Sequence, residues 1–277
     1  MPELAEVEFF CQRWHRAAAG QRIVRVLTHD RKKILRHLEL PVFRRALSGA
    51  TLLSSATAAK QMLLRFTGGA WLGIHLGMSG ELSVAPPTHT PRKHDHLVLV
   101  TDRHALVFND PRMFGRVDFH LGREPPHWWT EIAPAISSKA FTVAAVAAFL
   151  QRRRRAPIKA VLLKQERFPG VGNWMADEIL WRAGIHPARP AGSLQPREVG
   201  ALWRACRRVC RDALDKIAGR GRTPPPDLNA NIPRTWLFHH RWRRGGRCPK
   251  TGRPLAHDTI GGRTTCWSPA RQKLPSS

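Results

Sequence analysis

At 277 residues the chain is long enough to bury sizeable cores and is most simply two domains. Its 46 Lys and Arg against 20 Asp and Glu leave a formal charge of +26, spread through every third of the sequence. That excludes a single basic tail and points to a polyanionic partner, nucleic acid ahead of an anionic membrane surface. No run of about 18 apolar residues and no leader-like segment occurs, so a cytoplasmic, nucleoid-associated protein without membrane contact is expected. Five cysteines, at positions 11, 206, 210, 248 and 266, do not make a disulfide scaffold.

The first element is a helix over residues 5–18, where Val7, Phe10, Cys11, Trp14, Ala17 and Ala18 recur at spacings of three and four before Gly20. Just ahead of it stand Pro2 and Glu3. With Met1 removed, Pro2 is a free secondary amine, able to add to an aldehyde carbon and form an iminium electron sink. Glu3 beside it can move the protons this chemistry needs. The helix dipole disfavours a protonated amine there. Proline is also common at helix starts for conformational reasons alone.

Eight short strand patterns follow, over residues 23–28, 51–55, 62–66, 71–76, 81–84, 97–101, 105–108 and 116–120. Turn signals between them predict an antiparallel sandwich or barrel. His75-Leu76-Gly77-Met78-Ser79-Gly80 and Asp110-Pro111-Arg112-Met113-Phe114-Gly115 form two of the loops. Met78, Arg112 and Phe114 are the residue types that fill the space left by an extruded base, although core packing of Met78 and Phe114 is the plainer expectation. Pro125-Pro126 and residues 133–138 read as the exit into a linker.

Beyond it the period becomes helical, with helices predicted over 143–152, 157–165, 173–183 and 195–218, the last with Ser193 as a cap. Cys206 and Cys210 fall on its apolar stripe as core thiols. The turn Pro169-Gly170-Val171-Gly172-Asn173 precedes a helix, with Asn173 at the cap and backbone N–H groups exposed for phosphate oxygens. Residues 220–233 read as a mobile loop, and 236–272 as a small β-hairpin module. Cys248 and Cys266 lack partners at zinc spacing, because Thr251 and Pro269 stand three residues on. A mixed site from Cys248, His257 and Cys266 plus a further histidine is the alternative.

Taken together, Pro-Glu-Leu-x-Glu-Val-Glu, the His75–Gly80 loop, Lys93-His94-Asp95-His96, the Asp-Pro-Arg loop, Gly-Val-Gly-Asn, Ala183-Gly184-Ile185-His186-Pro187 and Gly-Gly-Arg-Thr-Thr resemble the formamidopyrimidine-DNA glycosylase and endonuclease VIII family across nearly the whole chain. The resemblance implies an α+β protein in three parts. These are a β-sandwich with an N-terminal helix at 1–135, a helix–two-turn–helix domain at 136–235, and a β-hairpin finger at 236–277. It implies a bifunctional glycosylase and abasic-site lyase acting as a monomer on damaged double-stranded DNA, with no cofactor. Pro2 resembles the nucleophile at C1′, Glu3 the acid that helps open the sugar, and Glu6 a supporting carboxylate. Lys60 resembles a β-strand lysine near the lesion phosphate, although the turn before His75 is one residue longer than usual. His75, His94, Asn173 and Arg263 resemble DNA contacts. Met78, Arg112 and Phe114 resemble the void-filling trio of the formamidopyrimidine branch, which favours oxidised purines such as 8-oxoguanine and formamidopyrimidines. Oxidised pyrimidines, or silent binding of damaged DNA, are the rival readings. Two departures stand out. Ala5 replaces a proline of the opening motif. The four zinc cysteines of the family align with Cys248, Thr251, Ser268 and Arg271, which implies a zincless finger.

Overall fold

A computed structural model describes residues 2–29, 33–219 and 225–274, in two compact units that meet in sequence at Ile132 and Ala133. In the first unit α1 (Leu4–Ala18) buries Val7, Phe10, Cys11, Trp14 and Ala18, the stripe set by the three-and-four spacing, together with Phe9. Glu3 and Glu6 close its start as a reciprocal capping box: the Glu3 side chain accepts from the Glu6 amide, and the Glu3 amide donates to Glu6 Oε2 at 3.1 Å.

The strands β1 (Arg25–Thr28), β2 (Leu52–Ala58), β3 (Gln61–Phe66), β4 (Ala70–His75), β5 (Glu81–Ala85), β6 (Asp95–Val100), β7 (Ala105–Asn109) and β8 (Arg116–Leu121) match the eight sequence patterns. They form two antiparallel sheets of four, ordered β1-β6-β7-β5 and β2-β3-β4-β8. Helix α1 packs against β2 of one sheet and β5 of the other. Two short helices, α2 (Leu40–Leu47) and α3 (His127–Thr130), carry too few turns to show a period in sequence. Phe43 and Leu47, four apart, are the buried residues of α2.

The second unit holds α4 (Val143–Arg152), α5 (Ile158–Leu162), α6 (Asn173–Ala183), α7 (Pro196–Ile217) and the hairpin β9 (Ala256–Ile260) and β10 (Arg263–Trp267). Thr142 caps α4 by accepting from the Ala145 amide at 3.1 Å. Helix α5 stops short of the predicted residue 165, because Gln165 turns its side chain onto the following loop. Its Nε2 donates to the carbonyls of Leu163 and Val171, both at 2.9 Å, and its Oε1 accepts from the Gly170 amide at 3.0 Å. Eight consecutive residues of α6, Trp174 to Trp181, are buried, and Gly184 ends the helix at φ 72. Ser193 does not cap α7; its hydroxyl donates to the Pro190 carbonyl, while Gln195 caps in a box with Glu198. Cys206 and Cys210 are core thiols, and burial pushes Cys206 well above the ordinary thiol range.

Gly261 and Gly262, at φ 61 and 74, turn the β9–β10 hairpin in the left-handed region that two-residue hairpins require. The hairpin shares a core with α6, made by Trp181, Leu237, Cys248, Leu255 and Cys266. Residues 220–224 of the loop expected at 220–233 lie outside the described residues. Among the described residues no helix is long and apolar enough to cross a membrane.

Candidate active site and nucleic-acid interface

One end of the sandwich gathers every residue singled out in the first unit. The register of α1 on β2 shows how. Cys11 Sγ reaches the Ala56 carbonyl, and one helical turn earlier Glu8 accepts from the Thr57 hydroxyl. Moving toward the start of α1 therefore moves toward the β2–β3 turn, so Pro2 and Lys60 lie at the same end. Half-buried Pro2 sits one residue outside the cap, and Glu3 is only 1% exposed. Lys60 is not a strand residue. It occupies the two-residue turn of β2 and β3, whose first residue, Ala59, adopts the left-handed φ of 54 because the chain reverses between paired Ala58 and Gln61.

Cross-strand pairing extends this edge: Gln61 lies opposite His75, and His75 opposite Arg116. Burial first, then the charges of Arg116 and Lys60, hold His75 below the usual imidazole value of 6.5, with Asp118 opposing. Its Nδ1 accepts from the Gly77 amide at 3.1 Å, which needs the unprotonated ring nitrogen. The unfolded chain takes up a proton near pH 6.5, before the folded one does. Stability at this turn should therefore be complete above pH 6.5 and decline as pH falls toward the lower folded value. A nuclear magnetic resonance titration should place the His75 midpoint below 6.5, and a midpoint above it would contradict the assignment.

The two loops predicted to carry the wedge meet here. A Cβ on Gly77 would lie 2.3 Å from the Phe114 backbone, and φ at Gly77 is +62, so only glycine lets the loops touch. Asp110, fully buried, ties them: Oδ1 accepts from Ser79 Oγ at 2.6 Å and from the Arg112 amide, and Oδ2 from the Gly115 amide at 2.7 Å. The Asp110 amide donates to the His94 carbonyl, which puts His94 at this end as well. Met78 and Phe114 are not core residues. They are 36% and 56% exposed, and Met113, which the sequence reading left unassigned, joins them at 38% with φ 55. The Arg112 guanidinium lies 5.1 Å from the centre of the Phe114 ring.

In the second unit Asn173 is the first residue of α6, and Gly172 is its cap. The expectation that the preceding turn exposes its amides holds less widely than the glycines suggested. The Gly170 amide is taken by Gln165 and the Val171 amide by the Phe168 carbonyl. Asn173 Nδ2 donates to the Thr264 carbonyl at 2.9 Å, which fixes the hairpin next to exposed Arg263 on the start of α6. Behind them lies a cluster the sequence reading missed. Asp177 pairs with Lys159 and, through Oδ2, with Arg241 Nη2 at 2.7 Å and the Cys266 amide at 3.2 Å. Lys159 Nζ also donates to the Asn173 carbonyl at 2.7 Å. Two adjacent acids, Asp177 and Glu178, in the otherwise apolar run Trp174–Trp181 were the available signal.

The finger residues do not fit zinc. Among the described residues no group of three or more His, Cys, Asp or Glu is arranged to hold a metal. The mixed arrangement is not assembled, since His257 Nε2 hydrogen-bonds the Arg241 carbonyl at 3.0 Å. Cys248 is surrounded by donors instead. Burial raises its thiol, but the hydroxyls of Ser268 and Thr251, the Trp181 indole N–H at 3.4 Å and the Lys250 amide together bring it down to about 6.

Residues 1–117 match the formamidopyrimidine-DNA glycosylase N-terminal domain, and residues 132–223 match the formamidopyrimidine-DNA glycosylase H2TH domain. The formamidopyrimidine-DNA glycosylases of Roseiflexus sp. and Xanthomonas euvesicatoria are 36% and 35% identical, each over 99% of this chain and 100% of their own length. The Lactococcus lactis enzyme, crystallised with DNA containing an oxidised pyrimidine, superposes with a TM-score of 0.85 at 22% identity, covering 99% of this chain and 100% of its own. The class thus defined is the DNA glycosylases, enzymes of DNA repair. Within that class, the chain belongs to the formamidopyrimidine-DNA glycosylase family.

Proposed function

We propose that the protein excises oxidised purines, 8-oxoguanine and formamidopyrimidines, from duplex DNA and then cleaves the strand at the abasic site. The observation that supports this reading is that the start of α1, with Pro2 and Glu3, lies at the same end of the sandwich as the exposed wedge of Met78, Arg112 and Phe114. The amine of Pro2 attacks C1′ and the base departs. The resulting iminium acidifies the C2′ protons, so elimination expels the 3′ phosphate and a second elimination the 5′ phosphate. Glu3 acts as the proton donor that opens the sugar. Lys60 and Arg263 bind phosphate, as does the second N–H of the Asn173 amide. His75 and His94 line the edge from which the wedge enters, and Glu6 holds the amide of Glu3.

Duplexes carrying single defined lesions test the purine preference. Scission at 8-oxoguanine should exceed that at oxidised pyrimidines, and the reverse order would overturn it. Arg112→Ala should lose about 1–3 kcal/mol of discrimination among bases opposite the lesion while binding undamaged duplex almost normally. Equal loss against every opposite base would make Arg112 an ordinary phosphate contact.

The hairpin acts in this reading without metal, because a hydroxyl or a guanidinium is a poor zinc ligand. A chelator should leave strand scission unchanged, whereas Arg263→Ala should lower it. One tightly bound zinc per chain by elemental analysis would contradict this.

A further inference from the structure

A cavity of about 720 Å³ opens in the second unit at the C-terminal end of α6. Its walls carry four cations, Arg182, Arg204, Arg208 and Lys250, against one carboxylate, Asp212. Arg204, Arg208 and Asp212 are spaced by four on α7 and so share one face of that helix, while Ala201 and Ala205 among them leave the space open. Asp212 is engaged by Arg182 at 2.9 Å and lies 3.7 Å from Arg208. Arg182 also holds the fully buried Glu178 at 2.8 Å. Burial pushes that carboxyl up and the Arg182 guanidinium opposes the shift, so Glu178 counts as a second carboxylate beside the cavity. Lys250 feels the excess directly: burial first, then Arg271 and Arg182, hold its ammonium below the ordinary lysine value.

A helix C-terminus alone would repel an anion, since it carries about half a negative charge. Four cations against Asp212 and Glu178 leave two net positive charges, which still outweigh that half charge, so the cavity is an anion site in spite of its place on α6. The aromatic faces are already covered. Arg182 lies 4.6 Å over Trp236, and Lys250 lies 4.9 Å over Trp181. A ligand is therefore held by its charges and not by base stacking. The volume lies in the range of whole small-molecule sites and exceeds what one tetrahedral ion requires. Asn173 stands at the other end of α6, roughly 15 Å away along eleven residues, so this is a separate site from the DNA-directed turn.

We propose that this cavity binds an oligophosphate, two or more adjacent phosphoryl groups, supplied as a nucleoside triphosphate or as an inorganic chain. Guanidinium forks from Arg204 and Arg208 grip phosphate oxygens two at a time, and Lys250 supplies a point charge from the opposite wall.

Calorimetric titration of the full chain with inorganic tripolyphosphate and, separately, with a nucleoside triphosphate tests this. Both should bind saturably, and the Arg204→Ala/Arg208→Ala pair should weaken each by roughly tenfold or more. Equal affinities for the two ligands would place recognition in the phosphates alone, and tighter binding of the nucleotide would add a nucleoside contact; either supports the site. Scission of lesion duplex by the double variant should match wild type. Absence of saturable binding, or unchanged affinity in the double variant, would overturn the proposal. So would a parallel loss of undamaged-duplex binding, which would make the cavity part of the DNA surface.

Discussion

Borohydride should tether the protein to a duplex bearing an abasic site through the nitrogen of Pro2, and Pro2→Gly should yield far less of that adduct. The chemistry needs an unprotonated amine within reach of C1′, and removal of Met1 makes Pro2 a free secondary amine at the start of α1. The Glu3→Gln variant separates the acid from the helix cap. A glutamine carbonyl oxygen still accepts the Glu6 amide bond, so the capping box persists while the acidic group is lost. Base release should fall by about 10²–10⁴-fold, with the urea midpoint nearly unmoved. Peptide mapping supplies the decisive reading. An adduct on the Lys60 peptide in place of the N-terminal one would transfer the nucleophile to the β2–β3 turn, which lies at the same end of the sandwich.

Much of this arrangement was legible in the residues. The strands emerged because turn signals punctuate short β-rich runs, and α1 emerged because its apolar residues keep a helical spacing. The groups at the sandwich end were nameable, since a secondary amine, an acid and a wedge of apolar and cationic loop residues are chemically distinctive. Their convergence was not legible. It depends on Glu8 and Cys11 registering α1 on β2, and on Asp110 binding Ser79 of one loop and Gly115 of another. Each of those bonds crosses more than twenty residues of sequence or draws on a buried acid that reads locally as a turn former. Exposure of Met78 and Phe114 was likewise undecidable by composition, because an apolar side chain on a loop reads the same inside or out. Lys60 shows the same limit at a finer scale. Local sequence does not show that the reversal between β2 and β3 falls on Ala59 and Lys60.

Asp177, one of two buried acids on α6, governs a different property, and its replacement should give the largest loss of stability. Asp177→Asn would leave the Lys159 ammonium, which is 0% exposed, without a carboxylate, and would remove the charge facing Arg241. Breaking one partner out of a buried ionic cluster costs about 3–5 kcal/mol, far more than a surface pair contributes. Asparagine keeps the size of the side chain, so a packing void does not explain the expected drop. Urea denaturation should register it as an earlier midpoint with an unchanged slope. The damage should also reach DNA binding. Asp177 accepts from the Cys266 amide on β10, and Lys159 holds the carbonyl of Asn173, whose side chain in turn anchors Thr264 beside Arg263. Loss of the carboxylate therefore loosens the hairpin on α6 and misplaces Arg263, so affinity for lesion duplex should fall even where the variant remains folded. Replacing Lys159, Asp177 and Arg241 together by apolar residues of similar volume separates the two effects. That triple variant should regain much of the stability, because no buried charge is left unpaired. It should not regain duplex affinity, because the bonds to Asn173 and Cys266 are gone. A stability for Asp177→Asn within about 1 kcal/mol of wild type would show that the cluster is not the ionic core of this unit.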